Sequence, residues 1–107
     1  MRKKLNVIID RPIGYEHPDW PGFIYLVNYG YVPGVMAPDG EEQDVFVLGV
    51  DTPLQTFKGE LIAIIHRRDD IEDKWVAVPE GMSFTAQEIE AAVAFSEQYF
   101  DSYIEMV

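Results

Sequence analysis

The chain has 107 residues, no cysteine, and 19 acidic against 8 basic side chains, which gives a formal net charge of −11. Without cysteine it forms no disulfide, zinc–thiolate site or cysteine nucleophile. A surface this acidic repels phosphate backbones, so we expect no nucleic-acid partner.

The length is that of one domain, which we take as residues 1–107. An apolar fraction of 48% supplies a modest core and is not typical of a disordered chain. No apolar run approaches the roughly 20 residues that span a bilayer, so we expect no membrane partner. The N-terminal apolar run ends at Asp10, too early for a signal peptide, and the lack of cysteine fits a reducing compartment. We therefore expect a cytoplasmic protein.

The first half of the chain predicts two strands separated by a loop. Residues 5–9 form the first strand, with Val7 and Ile9 on one face and Asn6 on the other. A Gly- and Pro-rich loop at 14–21, an aromatic and β-branched strand at 23–27 and a bend at 28–34 follow.

The second half predicts three more strands. A turn begins it at Pro38, where proline presets φ and the glycine two residues later accepts a positive φ. The apolar run at 58–66 is continuous enough to indicate burial on both faces. The strands lie at 44–50, 58–66 and 74–79, with a charged turn at 67–73.

One helix is predicted near the C-terminus. Thr85 and Glu88 have the spacing of a capping box. An apolar stripe with helical spacing continues through Ile89, Ala92, Val93, Ser96, Tyr99 and Phe100. Five strands and then a helix predict a mainly β, α+β protein: a small five-stranded OB-like barrel, antiparallel and partly closed, with the helix packed on it.

An acidic cluster at Asp39, Glu41 and Asp44 lies where a turn meets a strand. A turn can direct several carboxylates at one point, and Mg²⁺ binds two or three carboxylates together with waters. We therefore predict a Mg²⁺ site here. The spacing is not that of an EF-hand, so a Ca²⁺ loop of that kind is not expected.

A second acidic group occupies residues 69–73, directly before Lys74. Taken alone, it is more typical of a solvated hairpin turn than of a site. If the two acidic loops lie at the same end of the domain, they can hold two or more metal ions. Paired metals beside a cation suit reactions at phosphorus.

Three segments, in this order, form a recognisable set: N-Y-G-Y at 28–31, D-G-E-E-Q-D-V at 39–45 and K-W-V-A-V-P at 74–79. They resemble the N-Y-G-Y element, the D-G-D-x-x-D-V signature and the K-x-V-A-V-P segment of the soluble, Mg²⁺-dependent inorganic pyrophosphatases of the barrel type. The resemblance covers most of the chain, which is shorter than a usual family member.

The resemblance implies a five-stranded barrel, a site of several Mg²⁺ ions and hydrolysis of pyrophosphate to two phosphates, usually by a homo-oligomer. It also implies a role for each matching residue. Glu41 stands where an aspartate accepts the proton of the attacking water, which makes it the catalytic base. The implied metal ligands are Asp10, Asp39, Asp44, Asp69 and Glu72. The implied substrate-binding residues are Glu16, Tyr29, Lys74 and Tyr99.

The cationic positions depart from the family pattern. Gly14 and Phe100 stand where lysines are expected, and no Lys or Arg lies between Gly14 and Asn28. A charge-assisted hydrogen bond to an anion contributes roughly 1.5–3 kcal/mol. Losing three would slow turnover greatly unless Mg²⁺ or other cations substitute, and the candidates are His66, Arg67 and Arg68.

Two other functions therefore stay open from the sequence. One is a non-catalytic relative that binds metal and a small phosphate ligand without turnover. The other is an oligomerising module whose acidic loops are only solvated, and whose melting temperature is insensitive to Mg²⁺.

Overall fold

The computed structural model describes all 107 residues and contains six strands and one helix. The strands are β1 (Lys4–Arg11), β2 (Asn28–Met36), β3 (Glu42–Val47), β4 (Thr56–Arg67), β5 (Asp73–Val78) and β6 (Ser102–Met106). The helix is α1 (Ala86–Glu97), and no helix has the length and apolar content needed to cross a membrane.

The first five strands close into a barrel, which confirms the predicted fold class. Their order around the barrel is β1-β2-β3-β5-β4, and β4 returns to pair with β1. Closure is therefore complete rather than partial. All pairs are antiparallel except β3 with β5, because β5 enters the sheet between β3 and β4. The expectation of a fully antiparallel barrel was wrong at that one pair.

Apolar side chains on both faces of the central strands build two adjoining cores. Alternate residues of β3 point to opposite sides, so Val45 and Val47 join the core that contains Leu5 and Val7 of β1, while Phe46 joins the other. The second core includes Ile89 and Val93 of α1. The long run in β4 is likewise buried at Leu61, Ile62, Ala63 and Ile65, as its composition indicates.

A close approach between β1 and β2 explains Gly30 within N-Y-G-Y. Ile9 of β1 pairs with Gly30, and a Cβ added there would overlap the carbonyl oxygen of Ile8. Only glycine fits between the flanking Tyr29 and Tyr31. The strands can therefore pack closely enough to hold Tyr29 inward, where it is buried.

The helix begins where the capping box indicates. The Thr85 side chain accepts from the backbone N–H of Glu88, whose carboxylate accepts from the backbone N–H of Thr85. The helix ends at Glu97, one turn before the apolar stripe does. Tyr99 and Phe100 therefore follow the helix and lie at the surface.

Two predictions about strands were wrong. Residues 23–27 form no strand of the barrel: Ile24 makes an isolated bridge to Glu16, and Phe23 packs against Phe95 of the helix. Phe23 and Tyr25 thus pack on Phe95 of the helix instead of joining a sheet, while Ile24 and Leu26 are exposed. The bend expected at 28–34 is instead part of β2, and β6, which pairs outside the barrel with β4, was not predicted.

Candidate active site

A buried lysine lies at the centre of the candidate site. Lys74 enters from β5 and is 5% exposed. Its Nζ donates to the Tyr29 hydroxyl at 2.7 Å, to Oδ2 of Asp44 at 2.6 Å and to the Glu72 carboxylate. Residues of β2 and β3 and a residue directly before β5 thus meet at one ammonium group. Its positive charge neutralises part of the local negative charge.

The two carboxyl groups around Lys74 titrate differently. Burial and a hydrogen bond with Asp44 raise the pKa of Glu72 above its usual value. Burial also opposes ionisation of Asp44, but the hydrogen bond from Glu72 and the Lys74 ammonium together lower its pKa. Asp44 is therefore the ionised member of the pair, and Glu72 is the one that more readily holds a proton.

The charge of Asp44 also affects two neighbouring groups, Asp10 and Tyr29. Burial raises the pKa of Asp10, and the neighbouring charge of Asp44 adds to the effect. Burial also raises the pKa of the Tyr29 hydroxyl well above its usual value, with the Asp44 charge second. Tyr29 is thus a neutral hydrogen-bond donor at physiological pH, and Asp10 places a third carboxyl group near Asp44.

Arg67 adds a second buried cation. At the end of β4, its Nε and Nη2 bind the Glu97 carboxylate at 3.1 and 2.6 Å. Its Nη1 lies 3.7 Å from Asp70 and 3.6 Å from Glu72. The bidentate pair fixes the plane of the guanidinium, so the remaining nitrogen faces the acidic turn.

Arg11 is the third cation and comes from the end of β1. Its Nη1 donates to the Tyr25 hydroxyl at 2.6 Å, and its guanidinium lies 5.6 Å from the Tyr25 ring centroid. Unlike Arg67 and Lys74, it makes no ion pair with a carboxylate of this chain. Its charge is therefore available to an anion.

These cations line one open cavity of about 670 Å³. Lys74, Arg67 and Arg11 lie on it with Tyr25 and Tyr29. Aromatic side chains from the loop before β2 and from the residues after α1 complete the lining: Trp20, Phe23, Tyr99 and Phe100. The cavity thus combines positive charge with hydroxyl donors, an arrangement that suits a phosphate-bearing ligand.

The structure brings together part of the residue set implied by the sequence. Asp44, Glu72, Lys74 and Tyr29 form one hydrogen-bonded cluster, with Asp10 close enough to influence Asp44. The two acidic groups therefore meet at Lys74 through one residue each, Asp44 and Glu72.

The other acidic candidates lie away from this cluster. Asp39 and Glu41 are exposed on the turn, where Oδ1 of Asp39 accepts from the backbone N–H of Glu41 at 3.0 Å. Asp69 is exposed and accepts from Asp101, and Glu16 accepts from the backbone N–H of Gly22 at 2.9 Å. Their implied roles in metal binding, catalysis and substrate binding stay predictions.

Among the substitutes for the missing cations, Arg67 alone lines the cavity. Arg68 instead pairs with Asp101 at 2.9 Å, and His66 lies between Glu105 and Asp73. Sequence reasoning missed Arg11, although its position at the end of the first strand, directly after Asp10, was a usable signal. It also missed Tyr25, because the aromatic and β-branched composition of residues 23–27 predicts a strand.

The carboxyl groups around Lys74 offer the type of ligand atom that a small divalent cation binds. Asp44, Glu72 and Asp10 offer hard carboxylate oxygens, and the Lys74 ammonium contacts both Asp44 and Glu72. No group of three or more acidic or histidine side chains is arranged to hold a metal ion. A hard divalent ion takes one or two carboxylates, with waters and substrate phosphates as further ligands, and Asp44 and Glu72 supply two such groups.

Comparison with known proteins agrees with this geometry. A family model described as inorganic pyrophosphatase matches residues 6–105. The inorganic pyrophosphatase of Sulfolobus acidocaldarius is 34% identical in an alignment of 98 positions that covers 71% of this chain and 55% of that protein. The one from Saccharolobus solfataricus is 32% identical in an alignment of 95 positions, with the same coverage of both chains. The match spans about half the length of each relative.

A solved structure shares the fold. The crystal structure of the inorganic pyrophosphatase from Ehrlichia chaffeensis aligns with a TM-score of 0.77 at 19% sequence identity. The alignment covers 98% of this chain and 86% of that one. Structural likeness at this identity establishes the fold, and the family model establishes the relationship. The chain therefore belongs to the inorganic pyrophosphatase family.

Proposed function

We propose that this chain hydrolyses inorganic pyrophosphate to two phosphates with Mg²⁺ as its metal ion. The observation that carries the proposal is the cluster in which Lys74 joins Asp44, Glu72 and Tyr29 at the edge of a cavity that Arg11 also lines. Carboxylates for a metal ion and cations for phosphate groups thus adjoin.

Each group has a separate task in this proposal. Asp44 and Glu72, with Asp10 nearby, would hold Mg²⁺, which supplies charge neutralisation and water activation when bound. The Tyr29 hydroxyl donates a hydrogen bond to one phosphate, and the Lys74 ammonium would reach the same phosphate once Mg²⁺ occupies the Asp44 and Glu72 oxygens that Lys74 now contacts.

The remaining roles extend from this centre. Arg11 and Arg67 would neutralise the charge of the second phosphate, replacing the cations of the family pattern that this chain lacks. Tyr99 at the cavity edge donates its hydroxyl to phosphate. Glu41 accepts the proton of the attacking water, in line with its place in the D-G-D-x-x-D-V signature.

A phosphate-release assay with pyrophosphate and excess Mg²⁺ tests the proposal. We expect release by the wild type and a loss of at least about 100-fold in Asp44→Asn, which removes the ionised carboxylate of the cluster. Asp51→Asn is the matched control, since Asp51 is exposed and outside the cavity. Release by the wild type no greater than by Asp44→Asn would overturn the proposal.

One observation favours a second function, binding of metal and a small phosphate ligand without turnover. The Lys74 ammonium already contacts both Asp44 and Glu72, while Glu41 lies on an exposed turn. This alternative predicts that calorimetry detects Mg²⁺ binding and that no phosphate is released from pyrophosphate.

We further propose a cytoplasmic homo-oligomer. The resemblance to the family implies a homo-oligomer, and the chain exposes large apolar side chains at Leu26, Met36 and Ile71. Sedimentation velocity of the purified chain tests this, and a monomer at all accessible concentrations would contradict it.

A further inference from the structure

The cavity is larger than two linked phosphate groups require. Its volume of about 670 Å³ lies within the range of roughly 300–1,000 Å³ found for pockets that enclose drug-sized ligands. Lys74 and Tyr29 lie together on one part of its surface, where Lys74 donates to the Tyr29 hydroxyl. Space therefore remains for a further part of a ligand.

That space is bordered by exposed aromatic rings. Trp20 is 64% exposed and Tyr99 is 68% exposed, yet both line the same cavity. Trp20 comes from the loop before β2, whereas Tyr99 follows α1. Large apolar surfaces left open to water at a cavity mark binding sites for apolar groups, and an indole ring offers no charge to a phosphate.

The loop that carries Trp20 is held in place by its own hydrogen bonds. Oε2 of Glu16 accepts from Gly22, and the backbone N–H of Phe23 donates to the Trp20 carbonyl at 3.0 Å. The Phe23 ring packs against Tyr99 with a centroid distance of 6.3 Å, which connects the loop to the residues after the helix. Both aromatic groups are thus positioned before a ligand binds.

Positive charge adjoins these rings. Arg11 lines the cavity, makes no ion pair, and is held by the Tyr25 hydroxyl. The Tyr25 ring in turn contacts Phe23 at a centroid distance of 5.4 Å. A ligand that joins an anionic group to a planar ring would therefore meet a matching partner for each part.

We propose that the cavity takes a nucleoside diphosphate, with its base against Trp20 and Tyr99 and its phosphates on Arg11 and Lys74. This inference rests on the proposed function, since the same cations hold the phosphates in both. In hydrolysis, a water oxygen bonds to the terminal phosphorus and the bridging P–O bond breaks. The products are phosphate, a nucleoside monophosphate and one proton released to solvent.

Binding of two probes of equal charge tests the proposal. ADP carries a base, whereas methyl diphosphate carries the same phosphates without a ring. Affinities are measured by calorimetry and by fluorescence in a Trp75→Phe background, where Trp20 is the only tryptophan. Stacking of a base on an aromatic side chain contributes about 1–3 kcal/mol. We expect ADP to bind roughly 5- to 150-fold more tightly than methyl diphosphate and to change Trp20 fluorescence.

Variants assign the preference to the rings. Trp20→Ala and Tyr99→Ala should each lower the ratio of the two affinities, and Tyr99→Phe, which keeps the ring and loses the hydroxyl, should preserve it. Both sites are exposed, so the variants retain the packed core. Equal affinities in the wild type, or an unchanged ratio in Trp20→Ala, would overturn the proposal.

The outcome separates this inference from pyrophosphate hydrolysis. Phosphate release from pyrophosphate without a preference for ADP would overturn the nucleotide proposal alone. A preference for ADP in a chain that releases no phosphate would instead support this binding inference and contradict the hydrolysis proposal.

Discussion

Lys74 is the single residue on which the charge balance of the cavity most depends. Its ammonium contacts two carboxylates and a hydroxyl while its side chain is 6% exposed. Removing one partner of a buried ion pair leaves the others without compensation, which costs about 3 kcal/mol. We therefore expect Lys74→Met to lower the free energy of unfolding by that amount and to abolish phosphate release, as measured by urea unfolding and the release assay.

The matched control for that variant is Lys58→Met. Lys58 lies exposed on β4 and makes no ion pair, so its removal should change the free energy of unfolding by less than about 0.5 kcal/mol. Equal losses of unfolding free energy in Lys74→Met and Lys58→Met would show that the contacts of Lys74 add no stability.

Motifs in the sequence predicted only in part which residues meet at the site, since Asp39 and Glu41 share a signature with Asp44 yet lie on an exposed turn. Tyr29, Asp44 and Lys74 belong to such motifs, and the structure brings all three together. Arg11 and Tyr25 meet through a loop that closes between them, and no local pattern encodes that contact. Long-range pairs between irregular segments are determined by tertiary packing, which periodicity does not report.

At the level of elements, the pairing of β1 with β2 depends on Gly30. A methyl group there would overlap the Ile8 carbonyl oxygen, and overpacking of this kind costs about 3 kcal/mol. We expect Gly30→Ala to lower the free energy of unfolding by about that amount. Gly14→Ala is the comparison, because Gly14 has φ of 89° but open space around it, and should cost only about 1 kcal/mol.

The two glycine variants are compared by urea unfolding. A smaller loss in Gly30→Ala than in Gly14→Ala would contradict the close approach of the strands. Similar slopes in the two unfolding transitions would show that the difference lies in stability rather than in the compactness of the unfolded chain.

The pairing of β6 with β4 contains a histidine, the side chain whose ordinary pKa lies nearest to physiological pH. His66 hydrogen-bonds Glu105 at 2.7 Å and Asp73 at 3.2 Å, and its ring stacks on Tyr103, over which Arg68 lies. The hydrogen bond to Glu105 raises the pKa of His66 despite some burial. The protonated form is thus favoured in the folded state, so this stabilisation is complete below the ordinary histidine pKa of about 6.5 and is lost as pH rises through the folded value.

Glu105→Gln tests that dependence. The variant should lose roughly 0.5 kcal/mol of stability at about pH 5.5 and less at about pH 8.5, because the pair is partly exposed and histidine is then neutral. Thermal unfolding at both pH values measures the difference, with Glu90→Gln on the exposed side of α1 as control. A loss independent of pH would contradict the pairing with protonated His66.

Element prediction worked best where one face is buried. The alternation in residues 5–9 and the capping box at Thr85 each have one structural solution, and both are present. The apolar stripe predicts a longer helix because Tyr99 and Phe100 continue its spacing, whereas α1 ends at Glu97, whose carboxylate pairs with Arg67. β6 was not predicted because it is short and mostly exposed. It therefore has no apolar face to produce an alternating pattern in the sequence.

At the level of the whole molecule, Mg²⁺ binding should be visible as thermal stabilisation. A ligand at roughly 100 times its Kd adds about 2.7 kcal/mol to a folded state that alone binds it. For a domain of this size we expect a rise in Tm of about 10 °C. Differential scanning fluorimetry with MgCl₂ measures it, against NaCl at equal ionic strength because salt alone screens the net charge of −11.

Variants localise that stabilisation. Asp44→Asn should remove most of the rise in Tm and Asp51→Asn should retain it. Equal responses to MgCl₂ and NaCl in the wild type would favour acidic loops that are only solvated. These Tm measurements report on the whole protein, because the site is built from strands of the barrel and unfolds with them.

The order of strands around the barrel also has a consequence during synthesis. β1, β2 and β3 leave the ribosome before either strand that completes their pairing, since β1 needs β4 and β3 needs β5. The free edges of β1 and β3 therefore stay unpaired at this stage. Pairing across such sequence separations is slow. β4 can pair with β1 as soon as it emerges, but the barrel closes only when β5 enters between β3 and β4, so its apolar strand edges stay exposed until late in synthesis.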